Sequence, residues 1–176
     1  MKSNRRLIQV LIFLGVLVLG GYAIGHSLFA SSSDGLPRKG STPPSFSLLG
    51  TDGKTHRLDD YKGKALVINF WGTFCPGCVT ETPDLEEQYK KHGDKPFEIV
   101  GINLSEDRLA INNFIKQYDV SYTILQDNNR QVERAYGLKS YPTTFFVKPD
   151  GTIMDVFIGP MAKADMDKRI AKLLAS

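Results

Sequence analysis

The sequence predicts an α/β domain: a central mixed β-sheet flanked by helices, with an extra β-hairpin at its N-terminal end, carried behind one N-terminal transmembrane helix. Three observations lead there. From residue 65 onward, short apolar runs alternate with stretches of helical period, the pattern of strands joined by helices. Pro149-Asp150-Gly151 separates two runs rich in β-branched and aromatic residues, which marks a late antiparallel hairpin. Residues 7–24 carry no charged side chain, and about 20 apolar residues span the core of a bilayer.

The N-terminal stretch, Leu7 to Ile24, reads as an uncleaved signal-anchor within residues 1–30. A cleavable signal peptide is the competing reading. Its apolar region is usually ~7–15 residues long and ends in an A-x-A-like site. Here Leu28, which is not small, stands two residues before Ala30. No cysteine lies nearby to carry a lipid. Lys2, Arg5 and Arg6 stay on the cytoplasmic side by the positive-inside rule, which puts the folded domain outside the cell membrane. Residues 31–40 read as a flexible linker, and the extracytoplasmic domain is expected over 41–176.

Those three N-terminal cations account for the whole net charge of +3. The remaining 19 basic residues are matched by 19 acidic ones. A nucleic-acid partner, which needs a basic patch, is excluded on that balance. With 41% hydrophobic residues, among them ten phenylalanines, the chain has enough apolar surface for one core.

Within the domain, Phe46–Leu49 and His56–Leu58 flank the turn Thr51-Asp52-Gly53-Lys54 and form the extra hairpin. Ala65–Phe70 is a near-continuous apolar run, the mark of a strand covered on both faces. A helix follows, with Pro83 expected to kink or weaken it. Further strands are expected at 97–103, 122–125, 143–147 and 152–158, with helices at 107–118, 129–136 and 161–174.

The chemistry sits between the apolar strand and its helix, at Trp71-Gly72-Thr73-Phe74-Cys75-Pro76-Gly77-Cys78, which holds the only two cysteines. As a structural staple, a disulfide closing so short a loop stabilises little. As a zinc site it is half a ligand set, because His26, His56 and His92 lack the pair spacing. Haem attachment requires histidine where Val79 stands. Thiol–disulfide chemistry is the leading reading, with staple and metal site as weaker ones. Cys75 falls at a helix N-terminus, where unpaired N–H groups and the helix dipole favour a thiolate, so it is the expected attacking thiol. Cys78, one turn in, is the expected resolving thiol.

Strand–WGTFCPGC–helix, the later Tyr141-Pro142-Thr143 and the closing hairpin and helix resemble the thioredoxin fold. The N-terminal anchor and extra hairpin narrow the resemblance to the TlpA-like extracytoplasmic branch, and within it to the membrane-anchored ResA-type oxidoreductases of cytochrome c maturation. The resemblance implies a cis peptide bond before Pro142, opposite the dithiol, and backbone pairing of an extended substrate at Tyr141. It implies a proton-transfer role beside the dithiol for Glu81, and the same for Glu106. Asn69 stands where thioredoxins carry a buried aspartate, which is consistent with Glu81 as the acid. Pro76-Gly77 departs from the Glu-Pro and Gly-Pro pairs of the relatives, so the reduction potential does not carry over. Trp71 and Phe74 are expected to border the dithiol as apolar contacts or to belong to the core.

The implied activity is reduction of disulfides in exported proteins, first among them the C-x-x-C-H cysteines of apocytochrome c. A membrane thiol donor of the CcdA type would supply electrons. No metal and no cofactor beyond the redox-active Cys75–Cys78 pair is expected, and the domain is expected to act as a monomer. Competing functions are a reductase or oxidant for another exported pathway such as spore-envelope assembly, a copper chaperone and a peroxidase. The chaperone lacks a ligand histidine, since none follows His92.

Overall fold

The computed structural model describes residues 13–15 and 35–176. The expected anchor lies outside the described residues except at 13–15, which are helical. No helix among the described residues is long and apolar enough to cross a membrane.

The sheet has seven strands: β1 (Ser47–Gly50), β2 (Thr55–Arg57), β3 (Ala65–Trp71), β4 (Phe97–Asn103), β5 (Thr123–Gln126), β6 (Thr143–Val147) and β7 (Ile153–Ile158). Their spatial order is β2-β1-β5-β4-β3-β6-β7. β3, β4 and β5 run parallel, while β1, β2, β6 and β7 are antiparallel to their neighbours. Four helices complete the domain: α1 (Pro76–His92), α2 (Arg108–Tyr118), α3 (Gln131–Ala135) and α4 (Lys163–Leu174).

All seven residues of β3 are buried. Alternate side chains enter different cores, as the two-residue period of a strand dictates. Val67 and Trp71 join Leu85 of α1, Phe114 of α2 and Ile170 of α4. Leu66, Ile68 and Phe70 join Tyr61, Val132 and Tyr136 in the second core. Asn69, in phase with Val67 and Trp71, is the one polar residue of the strand. It is directed to the face that α1 covers.

Several boundaries differ from the sequence reading. Leu58 is not a strand residue. It opens a 3₁₀ turn, Leu58–Tyr61, because Asp60 Oδ2 accepts the Arg57 N–H at 2.7 Å. Helix α1 starts at Pro76 as expected, where a missing N–H is harmless. It continues through Pro83, also as expected, and Pro83 removes the donor that Val79 O would otherwise receive at i+4. The compact body begins at Gly35, inside the segment expected to be a flexible linker. Leu36 packs on the second core, and the Gly40 N–H donates to Ile153 O at 2.8 Å. Gly35 crosses so close to Gly137 that a Cβ there would lie 2.8 Å from the Gly35 carbonyl carbon. Gly137 also has φ +60, which adds to the demand for glycine. A single leucine in a Ser/Gly/Pro-rich stretch has no periodicity to betray this packing.

Helix α3 is only five residues long and leans on a buried carboxylate. Asp127, fully buried, accepts the Gln131 N–H at 3.0 Å and the Glu133 N–H at 2.8 Å. Asp127→Ala leaves both donors unpaired and is expected to cost about 2 kcal/mol of unfolding free energy in urea titration. A loss below a few tenths would show that water replaces the carboxylate.

Candidate active site

Central strand β3 ends at Trp71 and delivers the chain to a tight turn in which the Cys75 N–H donates to Gly72 O at 3.2 Å. Cys75 is the N-cap of α1, with extended backbone, and Pro76 occupies the first helical position. Cys75 Sγ accepts the Cys78 N–H at 3.2 Å, so a helix-end donor points at the sulfur expected to carry the thiolate. The two cysteines form a disulfide with Cα atoms 5.2 Å apart. Cys75 is 7% exposed and Cys78 1%. The difference fits attack by the first and resolution by the second.

The Tyr141–Pro142 peptide bond is cis, as expected from the resemblance. Pro142 lies against the dithiol turn: a Cβ on Gly77 would sit 3.4 Å from Pro142 Cδ and 3.0 Å from Pro160 Cβ. The Tyr141 hydroxyl donates to Glu133, a nearly buried carboxylate on α3. Burial, with the Glu133 carboxylate beside it, pushes the Tyr141 phenol up to about 12. Tyr141 is thus held by its side chain next to the cis bond.

Glu81 is 2% exposed and lies one turn beyond Cys78. Its Oε1 accepts from Asn69 Nδ2 at 2.8 Å, and its Oε2 accepts the Met161 N–H at 3.0 Å. Asn69 Nδ2 also donates to Thr144 Oγ1 at 2.9 Å, directly across the β3–β6 ladder. Burial raises the Glu81 carboxyl from 4.5 to about 7. The two donors oppose that rise, and nearby Asp84 adds to it. Glu81 can therefore take or give a proton near neutrality.

Glu106 lies at the turn that leads into the dithiol, beside it as the resemblance implies. Its carboxylate accepts the Thr73 N–H at 2.7 Å and the Thr73 hydroxyl, and it accepts Asn103 Nδ2 at 2.7 Å. Its contacts hold the turn that leads into Cys75. Asn103, fully buried at the end of β4, accepts the Glu106 N–H in return at 3.2 Å. Trp71 is core, 3% exposed, with its ring 4.6 Å from that of Phe114, in the same cluster as both cysteines. Phe74 is 57% exposed and folds back over Gly72.

Thr73, Asn103, Glu133, Thr144 and Met161 escaped the sequence reading. Thr73, Glu133, Thr144 and Met161 act through hydrogen bonds to residues at least eight positions away, and Asn103 pairs locally. Only Asn69 carried a signal, as a polar residue in an apolar strand.

A dithiol at the head of the helix that follows a central parallel strand, closed by a cis-proline, is the site of a thioredoxin-fold thiol–disulfide oxidoreductase. Known proteins agree. A family model described as Redoxin matches residues 38–174. The thiol–disulfide oxidoreductase ResA of Bacillus subtilis is 39% identical over 165 residues, 93% of this chain and 91% of that protein. ResA of Bacillus cereus is 33% identical over 98% of this chain and 99% of its own. A thiol:disulfide interchange protein of Chlorobium tepidum, of thioredoxin family, superposes with a TM-score of 0.71 at 30% identity, covering 78% of this chain and 99% of its own. The chain belongs to the redoxin family and, within it, to the ResA thiol–disulfide oxidoreductases.

Two outcomes follow from the carboxylates. A carboxyl held above its unfolded value stabilises the folded state while protonated. For Glu81 that stability is complete below about pH 4.5 and is lost as pH rises to about 7. Glu81→Gln is therefore expected to gain on the wild type, on the order of 3 kcal/mol, between about pH 4.5 and 8. Parallel stability curves would refute the shift. Glu106→Ala frees the Thr73 turn and is expected to slow disulfide exchange roughly ten- to a hundredfold with little change in melting temperature. Unchanged exchange would make the Glu106–Thr73 contact dispensable.

Proposed function

We propose that the chain is a membrane-tethered reductase that works outside the cell on disulfides of exported proteins, above all the C-x-x-C-H cysteines of apocytochrome c. The observation that carries this reading is the Glu81 carboxyl, buried one turn from Cys78 and raised to about 7. A reductase must repeatedly deprotonate a buried resolving thiol at neutral pH, and such a group is suited to that. Near full-length similarity to ResA proteins supports the choice of branch. The uncharged stretch at 7–24 supports the tether.

The reaction runs in two exchanges. The Cys75 thiolate attacks one sulfur of the substrate disulfide. A Cys75–substrate disulfide forms, and the other substrate sulfur leaves as a thiolate that takes a proton from water. Glu81 then takes the Cys78 proton, and the Cys78 thiolate attacks Cys75 Sγ. The second substrate sulfur departs and is protonated in turn. The substrate has gained two electrons and two protons, and Cys75–Cys78 is a disulfide again. A membrane dithiol donor of the CcdA type resets it, and the tether raises the local concentration of domain and donor. No other cofactor or metal takes part. The domain acts as a monomer.

Cys78→Ala removes the resolving thiol and should leave Cys75 joined to its substrate in isolated membranes. The expected result is release, on reduction, of exported proteins carrying C-x-x-C-H. A captured set without them would overturn the substrate assignment. A reduction potential at the oxidising end of the scale would overturn the direction.

A further inference from the structure

We propose that Asn69 is a positioning residue for thiol–disulfide exchange: its amide, gripped by Thr144, turns over with each proton that Glu81 gains or loses. The inference rests on Glu81 as the acid–base group and concerns how a carboxyl so deeply buried can change charge at all.

Asn69, Glu81 and Thr144 are each at most 2% exposed, so no bulk water can rearrange around the carboxyl. A buried polar atom without a partner costs roughly 1–3 kcal/mol. The partners of Glu81 must therefore suit both of its forms. On one side the partner is fixed: the Met161 N–H is a backbone donor and keeps Oε2 an acceptor. The proton is then placed on Oε1, the oxygen that faces Asn69 at 2.8 Å.

An asparagine amide is the neutral group that serves there in both forms. When Glu81 is ionised, Nδ2 supplies two hydrogens, one to Glu81 Oε1 and one to Thr144 Oγ1 at 2.9 Å. When Oε1 carries the proton, that orientation sets donor against donor. Turning the amide by half a revolution presents Oδ1, whose two lone pairs accept the Glu81 O–H and the Thr144 O–H. The threonine hydroxyl makes the exchange possible, because it can donate or accept by rotating its hydrogen. Glu81 Oε1 and Thr144 Oγ1 each keep the amide as a partner before and after the proton moves.

The other residues at this position would not do so. Aspartate would place a second acid 2.8 Å from the first, and the two would share one proton. Leucine, of similar volume, would leave Oε1 unpaired and favour the neutral form. The remaining titratable groups facing Glu81 are Asp84 on its own helix, Tyr122 ahead of β5, and the dithiol. Strands β3 and β6 bring only Asn69 and Thr144, and the loop before α4 brings a backbone N–H.

The test uses the oxidised protein, in which neither cysteine titrates. The side-chain ¹⁵N–¹H pair of Asn69 and the ¹³C carboxyl of Glu81 are followed by NMR from about pH 5 to 9. The amide pair is expected to titrate with the Glu81 midpoint in wild type and to lose that titration in Glu81→Gln. Asn69→Leu and Asn69→Asp should each raise the Glu81 midpoint by about one unit or more, a tenfold change in proton affinity. Cys78 reactivity in the reduced variants should shift with it, except when combined with Glu81→Gln. A flat Asn69 signal while Glu81 titrates overturns the turning amide and spares the acid–base role. A Glu81 carboxyl that does not titrate in this range overturns both. An Asn69→Leu midpoint equal to wild type overturns the positioning role. If the leucine variant does not fold, the wild-type titration decides alone.

Discussion

Strand β3 is hydrogen-bonded along its length on both sides, parallel to β4 and antiparallel to β6, and buried on both faces. That double constraint fixes everything downstream. Because β3 is parallel to β4, its C-terminal end and that of β4 lie at the same edge, so Glu106, just past β4, can reach Thr73, just past β3. Because β6 runs the other way, its start lies at that same edge, and Pro142 arrives beside the dithiol. The site is thus assembled where three strand ends meet. The energy that holds it comes from the two apolar cores, at roughly 25 cal/mol for each Å² of apolar surface removed from water.

Inside that frame the polar residues form two separate systems. One, Glu106 with Asn103 and Thr73, is structural in action: it sets the turn from which Cys75 emerges. The other, Glu81 with Asn69, Thr144 and the Met161 N–H, surrounds a buried carboxyl. The first has short, charge-assisted bonds around a carboxylate near the surface. The second keeps its carboxyl away from water, which is what brings it to about 7. Two glutamates that look alike in sequence therefore have different surroundings because of depth.

Much of this was legible in the sequence. The run 65–70 announced a strand buried on both faces, and all seven residues of β3 are so placed. The helix start at Cys75-Pro76 was legible from the strand, the cysteine and the proline in sequence. Pro142 and Glu81 needed the resemblance, because an isolated proline or glutamate has no distinguishing pattern. Glu106 also needed the resemblance, since a hydrogen bond to Thr73 across 33 positions leaves no trace in local periodicity. Leu36 and Gly35 were read as linker for the same reason: packing by one side chain and one close backbone crossing has no period.

Gly77 has a consequence for the variability of the dipeptide between the cysteines. A side chain there would begin in tight contact with Pro160, 3.0 Å from its Cβ, and against Pro142. The residue before Cys78 is therefore coupled to a loop more than eighty positions away, although nothing bonds the two. Diversity introduced at 77 would be sampled against that contact, so a dipeptide transplanted from a relative is best judged together with the residue at 160.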